Sequence, residues 1–88
     1  MTAAVATVLV VDDEERLREL LRSYLAQAGF RVLLAADGPQ ALELARCERP
    51  DLLVLDLMLP GLDGLDVCRR LRAFSDAYVL MLTARAEE

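Results

Sequence analysis

Four short runs rich in aliphatic and β-branched residues constrain the fold of this chain more than any other feature. The runs are Val5–Val11, Phe30–Ala36, Leu52–Leu55 and Tyr78–Leu82. They lack the strict alternation of polar and apolar residues that is typical of a strand with one face exposed to solvent. Strands of this composition are typical of parallel sheets, which are covered by helices on both faces. The chain therefore needs helices between these strands.

The segments between the strands do have the apolar spacing of three to four residues that predicts amphipathic helices. Capping residues and stop signals mark the ends of these helices, including an aspartate N-cap at Asp37 with Gln40 three residues later. The predicted helices run from the acidic cluster 12–15 to Gly29, from Asp37 to about Cys47, and from Asp63 to about Ala73. Alternating strands and helices with short connections predict an α/β fold with an open, doubly wound parallel sheet.

Composition excludes several classes of function. The 88 residues carry a net charge of −5, which disfavours direct contact with nucleic acid. The chain has neither histidine nor lysine, so it cannot be a histidine phosphodonor, a His-ligated zinc site or a Schiff-base enzyme. It shows no signal peptide and no apolar run long enough to span a membrane, which predicts a cytoplasmic location. We expect Cys47 and Cys68 to be reduced, mostly buried thiols.

Three of the predicted strands end in polar side chains, at the edge where doubly wound sheets bind their ligands. Asp12 and Asp13 follow the first strand, Asp56 ends the third, and Thr83 follows the fourth. If the first and third strands are neighbours, the carboxylates of Asp13 and Asp56 would lie about 4–5 Å apart. Such a pair costs on the order of 4 kcal/mol at an effective dielectric constant of 20.

Two arrangements would relieve this repulsion. Either one carboxyl group stays protonated, or a divalent cation lies among the carboxylates, and an all-oxygen site suits Mg²⁺ or Mn²⁺. Mg²⁺ also keeps coordination positions open for phosphate oxygens, and an aspartate beside it can act as a nucleophile and form an aspartyl phosphate. In that case Thr83 could donate a hydrogen bond to the phosphoryl group.

Each of these residues also has a structural interpretation when taken alone. Asp12 and Glu15 have the spacing of a capping box, and acidic residues are favoured at the start of a helix. Asp56 could simply begin a loop, and Thr83 could be present for its β-propensity. The placement of all of them at one edge of the sheet favours a functional site.

Three sequence blocks then resemble the receiver domain of bacterial two-component response regulators. They are VLVVDDEE at 8–15, DLLVLDLMLPGLDG at 51–64 and LTA at 82–84, in matching order and spacing. The resemblance implies a flavodoxin-like sheet with strand order 2-1-3-4. It also implies that Asp56 accepts a phosphoryl group from a phosphohistidine of a sensor histidine kinase.

The same resemblance assigns roles to the other residues of this edge. Asp13, Asp56 and the backbone carbonyl of Met58 would bind Mg²⁺ directly, and Asp12 would reach it through water. Thr83 would be the switch hydroxyl, assisted by the backbone N–H of Ala84. The sequence LMLPGLDGLDVCRRLRA is most similar to receivers attached to winged-helix DNA-binding domains, which implies an output in transcription.

The resemblance also bears on the extent of the chain. Receivers of this family have five strands and five helices, whereas this sequence ends within the expected fourth helix and contains no counterpart of the lysine of the fifth strand. We therefore interpret residues 1–88 as the N-terminal portion of a single receiver domain within a longer gene product, or as a fragment that associates. The exposed edge of Tyr78–Leu82 would favour a homodimer or domain swapping.

Two other classes of protein are weighed against a receiver. A magnesium-dependent phosphohydrolase with an aspartyl nucleophile needs a second aspartate two residues after the first, and Met58 occupies that position. A phospho-inert scaffold with the same fold would neither bind Mg²⁺ nor react with a small acyl phosphate. The residues favour a regulatory domain, which is not an enzyme acting on an external substrate.

Overall fold

The computed structural model describes residues 5–57 and 59–82. Over these residues strands and helices alternate, as the sequence predicts. In chain order the elements are β1 (Thr7–Val11), α1 (Glu15–Gln27), β2 (Arg31–Ala35), α2 (Gly38–Glu48), β3 (Leu52–Asp56), α3 (Gly64–Leu71) and β4 (Tyr78–Leu82). The α/β class is therefore confirmed, and each boundary lies within about two residues of its prediction.

The strands form one parallel sheet in the order β2-β1-β3-β4, which confirms the predicted order. The register aligns the carboxyl ends of the strands. Val11 at the end of β1 is the Cα partner of Ala35 on one side and of Leu55 on the other. Asp56 in turn pairs with Leu82 at the end of β4. Residues that follow β1 therefore lie level with the end of β3.

Two apolar layers cover the sheet and explain why its central strands are apolar on both faces. On one face Leu9 and Leu53 pack against α2 and α3, whose buried residues include Ala41 and Val67. On the other face the buried side chains are Val8, Val10 and Val54, which pack against Leu21 and Leu25 of α1. Burying an aliphatic side chain of this size contributes roughly 1.5–3 kcal/mol, so the layers hold the strand ends in place.

β4 is the least covered strand of the sheet. Val79 and Met81 pack against the α2 and α3 layer, whereas Tyr78 and Leu80 on the opposite face are 79% and 54% exposed. Among residues 5–57 and 59–82, β4 pairs only with β3. The predicted exposed apolar edge is therefore present in this part of the chain. Self-association through this edge stays a prediction. The interpretation of residues 1–88 as the N-terminal portion of a single receiver domain also stays a prediction.

Side-chain caps begin two of the helices at the predicted residues. The Asp37 carboxylate accepts a hydrogen bond of 2.9 Å from the backbone N–H of Gln40, and the Gln40 side chain accepts one of 2.8 Å from Ala36. At α3 the Asp63 carboxylate accepts a hydrogen bond of 3.0 Å from the backbone N–H of Asp66. The bonds that Asp37 and Asp63 accept satisfy N–H groups that the first helical turn leaves unpaired, and the bond from Ala36 pairs an N–H just before α2.

Replacing Asp37 by alanine should lower the free energy of unfolding by about 1 kcal/mol, because the N–H of Gln40 then loses its acceptor. Urea denaturation followed by circular dichroism measures the change as a lower midpoint with an unchanged slope. Asp76→Ala is the matched control, since Asp76 is exposed and lies outside the helices. Equal midpoints for Asp37→Ala and the unsubstituted chain would show that the cap contributes nothing.

The two cysteines depart in part from expectation. Both are free, but Cys47 is exposed and Cys68 is half-buried, so the prediction of a buried thiol is wrong for Cys47. Cys47 lies two residues after the buried Ala45 of α2. Two residues turn an α-helix by about 200°, which places Cys47 on the face opposite the sheet.

Within the described residues, the helices are all too short or too polar to cross a membrane.

Candidate functional site

Three aspartates meet where β1 and β3 end side by side. Asp12 and Asp13 follow β1 directly, and Asp56 is the last residue of β3. Each offers a carboxylate oxygen, and these oxygens all lie within 4.8 Å of one another. Asp12 and Asp56 are only 4% and 6% exposed, whereas Asp13 is exposed to solvent. The structure thus brings together the acidic residues that the sequence places at this edge.

Two further predicted site residues lie outside the described part of the chain. These are Met58, whose backbone carbonyl is an expected ligand, and Thr83, the expected switch hydroxyl, which is followed by Ala84. Thr83 directly follows Leu82, the Cα partner of Asp56. The roles of all the site residues stay predictions.

Hydrogen bonds from three parts of the chain hold Asp12. Its backbone N–H donates to the carbonyl of Ala35 at 3.1 Å, and its carboxylate Oδ1 accepts a bond of 2.9 Å from the N–H of Glu14. Its backbone carbonyl accepts a bond of 2.8 Å from the guanidinium of Arg18. The contact with Arg18 has no sequence signal, because a spacing of six residues across a loop and a helix start matches no regular pattern.

The alternative interpretation of Asp12 as part of a capping box with Glu15 is wrong. α1 begins at Glu15, its N-cap is Glu14, and no side chain caps this helix end. The helix starts too late for Asp12 to be its N-cap. The Asp12 carboxylate instead closes a local turn by accepting from Glu14, and this keeps it at the end of β1.

Burial and nearby charges both act on the carboxyl group of Asp12. Burial raises the pKa of the Asp12 carboxyl, and the negative charges of Asp56, Asp13 and Glu14 raise it further, while the hydrogen bond from the backbone of Glu14 opposes the shift. A charged group in this position is therefore unfavourable without a compensating cation. The cluster stores repulsion that a bound cation would relieve.

Replacing Asp12 by asparagine should consequently stabilise the chain at pH 7 in the presence of a chelator. Asparagine keeps an oxygen that can accept from Glu14 but carries no charge. For a domain of this size, each 1 kcal/mol of relief raises the thermal midpoint by roughly 4–8 °C. The sign follows from linkage: because the folded-state pKa of Asp12 is raised, the penalty is absent below its ordinary pKa of 3.8 and grows as pH rises through the folded-state pKa.

Thermal unfolding at pH 7 and at pH 3 tests this expectation. The advantage of Asp12→Asn over the unsubstituted chain should be largest at pH 7 and should disappear at pH 3, where Asp12 is protonated in the folded and unfolded states. Asp76→Asn removes one exposed carboxylate elsewhere and should leave the midpoint nearly unchanged. A lower midpoint for Asp12→Asn at pH 7 would contradict the argument.

Gly64 shapes the site from the start of α3. Its N–H donates to the carbonyl of Leu57 at 3.1 Å. A Cβ atom at this position would lie 2.9 Å from the backbone oxygen of Asp56 and 2.9 Å from the Cα of Leu57. Real Cβ atoms do not approach backbone this closely, so only glycine lets α3 pack against the end of β3. The sequence indicates a turn here but not this contact.

The donor set has a clear chemical preference. Three carboxylates supply only hard oxygen ligands, and the repulsion at Asp12 calls for positive charge. Such a set could hold a divalent cation, and oxygen ligands suit Mg²⁺, Ca²⁺ or Mn²⁺ better than softer metals. The residues present therefore fit a divalent cation at the carboxyl edge of the sheet.

Known proteins share both the sequence and the fold. The family model of the response regulator receiver domain matches residues 8–88. The alkaline phosphatase synthesis transcriptional regulatory protein PhoP of Bacillus subtilis is 51% identical over 82 residues, which cover 92% of this chain and 34% of PhoP. The response regulator MprA of Mycobacterium ulcerans is 54% identical over 79 residues, covering 89% of this chain and 34% of MprA.

Solved structures agree with this result. The chemotaxis protein CheY4 of Vibrio cholerae superposes with a TM-score of 0.88 and 33% sequence identity, covering 96% of this chain and 72% of the CheY4 chain.

The 88-residue chain spans about a third of the length of PhoP and MprA. The family match extends from β1 past β4 and contains all three clustered aspartates. The chain therefore belongs to the response regulator receiver domain family.

Proposed function

We propose that this chain accepts a phosphoryl group on Asp56 from a phosphohistidine of a sensor histidine kinase in the cytoplasm, and that this modification switches an output. The observation that carries the proposal is the position of Asp56. Its nearly buried carboxylate ends the strand beside β1, with carboxylate oxygens of Asp12 and Asp13 within 4.8 Å. Receiver-family membership supports the same chemistry.

Mg²⁺ is the cation that this proposal requires. Asp13, Asp56 and the backbone carbonyl of Met58 would hold it, and Asp12 would reach it through water. When bound, it neutralises phosphoryl oxygens and offsets the repulsion among the carboxylates. The oxygen-only donor set and the raised pKa of Asp12 support this assignment.

The chemical step belongs to Asp56. One carboxylate oxygen attacks phosphorus, the bond between phosphorus and the imidazole nitrogen breaks, and its electron pair stays on that nitrogen. The product is an aspartyl phosphate, which water later hydrolyses to restore the carboxylate and release phosphate. Thr83 would donate its hydroxyl to the phosphoryl group, with the N–H of Ala84 as a second donor. The protein is regulatory on this account, because the only phosphoryl group it processes is its own.

The proposed output is transcription. PhoP, which is 51% identical over the matched region, is a transcriptional regulatory protein, and the match covers only 34% of its length. We infer that a DNA-binding domain outside residues 1–88 carries the output. The chain itself, with a net charge of −5, would not contact DNA.

The test is an intact-mass spectrum of the folded chain before and after incubation with acetyl phosphate, a small acyl phosphate that replaces the kinase. We expect a gain of one phosphoryl group that requires Mg²⁺ and is prevented by a chelator. A folded chain that gains nothing would be a phospho-inert scaffold and would refute the proposal. Continuous release of phosphate from added phosphate esters over many turnovers would instead identify a phosphohydrolase.

A further inference from the structure

The side chain of Arg18 connects α1 to the acidic site. Its Nη1 atom donates a hydrogen bond of 2.8 Å to the backbone carbonyl oxygen of Asp12. The Arg18 side chain is half-buried, and its own backbone N–H donates to Glu14 within the first turn of α1. A charged donor at this distance forms a strong hydrogen bond.

The bonded carbonyl belongs to the peptide group that joins Asp12 to Asp13. A peptide group is planar, so fixing its carbonyl oxygen also fixes the direction in which the chain enters Asp13. The hydrogen bonds of Asp12 with Ala35 and Glu14 do not reach this peptide, because they involve its own N–H and its carboxylate. Asp13 is exposed and therefore has little packing to orient it. Arg18 thus acts where orientation is otherwise weakly determined.

We propose that Arg18 is a positioning residue of the divalent cation site, and that it holds the Asp12–Asp13 peptide so that both carboxylates face Asp56. This inference rests on the proposed function, because it assumes that the three aspartates bind Mg²⁺. Arg18 itself would not bind the cation, since its guanidinium donates to the backbone carbonyl of Asp12 and not to a carboxylate.

Charge and positioning predict opposite effects when Arg18 is replaced, which makes the proposal testable. A guanidinium near the carboxylates repels a cation, so removing its charge alone would tighten Mg²⁺ binding. Removing the hydrogen bond would instead loosen the ligands. Groups that orient metal ligands typically contribute a factor of about 10–100 to metal affinity.

The experiment is calorimetric titration of the folded chain with MgCl₂, comparing Arg18→Met, Arg18→Gln and Arg18→Lys. We expect Mg²⁺ affinity to fall about tenfold in Arg18→Met and Arg18→Gln, since neither side chain can replace the long charged donor. Arg18→Lys keeps a charged donor and should recover part of the loss. Arg16→Met is the matched control: Arg16 is an exposed arginine of the same helical turn, and its loss should leave affinity unchanged or slightly tighter.

Thermal unfolding of the same variants is a second measurement, and it separates a positioning role of Arg18 from a general structural effect. If Arg18 only stabilised α1, its replacement would lower the thermal midpoint without changing the Mg²⁺ affinity of the folded chain.

The proposal would be overturned if Arg18→Met or Arg18→Gln bound Mg²⁺ as tightly as the unsubstituted chain, or more tightly. If Arg18→Met does not fold, Arg18→Gln decides the question, and Arg18→Lys decides it if both fail. In that last case, Arg18→Lys affinity below that of the unsubstituted chain supports positioning, and equal affinity overturns it. An unsubstituted chain that binds no Mg²⁺ would refute the proposed function itself, whatever Arg18 does.

Discussion

Replacing Asp56 by asparagine is expected to abolish the uptake of a phosphoryl group from acetyl phosphate completely. Asparagine has nearly the same shape as aspartate, so β3 should keep its pairing with β1 and β4. Its amide oxygen, however, is not a nucleophile that can form an acyl phosphate.

Intact-mass spectrometry measures this loss directly, and two variants frame the result. Asp76→Asn removes an exposed carboxylate away from the site and should be modified like the unsubstituted chain. Asp13→Asn keeps Asp56 but loses an expected Mg²⁺ ligand, so we expect slower modification that needs more Mg²⁺. A phosphoryl gain in Asp56→Asn, mapped to any other residue, would show that Asp56 is not the acceptor.

Replacing Gly64 by alanine should destabilise the chain by about 1–3 kcal/mol and slow modification of Asp56. The added Cβ would lie 2.9 Å from the backbone of both Asp56 and Leu57, and backbone cannot move aside as a flexible side chain can. Forcing an atom into such a contact typically has this cost. Helix propensity alone predicts the opposite sign, because alanine favours a helix more than glycine by up to about 1 kcal/mol.

Urea denaturation and the rate of phosphoryl uptake measure the two effects. Gly61→Asn is the matched control in the loop that precedes α3, because a Cβ there meets nothing within 4 Å and asparagine tolerates the φ of 77°. It should cost less stability than Gly64→Ala and leave the rate unchanged. A stable Gly64→Ala variant with normal phosphoryl uptake would mean that α3 can shift without disturbing Asp56.

Local patterns predict most of the secondary structure of this chain. The apolar run Tyr78–Leu82 coincides with β4, and Asp37 and Asp63 cap the helices that they were expected to begin. These signals act over three or four residues and depend on strand composition or on unpaired backbone N–H groups. The order 2-1-3-4 followed from the resemblance, and the pairing of the strands confirms it.

Contacts that depend on where a helix begins and how it packs on the sheet were not predictable in the same way. The spacing of Asp12 and Glu15 indicated a capping box, but the helix begins too late for it. The bond from Arg18 to the Asp12 carbonyl and the tight packing of Gly64 on the end of β3 have no local signature. Each depends on how a helix is docked on the sheet, which a local pattern does not describe.

The sequence by itself determined which residues could form the site, because a strand of known length ends at a known residue. It therefore put Asp12, Asp13 and Asp56 at one edge once β1 and β3 were taken as neighbours. Only the tertiary structure decided their separation, their unequal burial and the bonds that orient them. The physical reason is that register and helix docking come from burying apolar faces across the whole sheet, whereas caps and strand composition act locally.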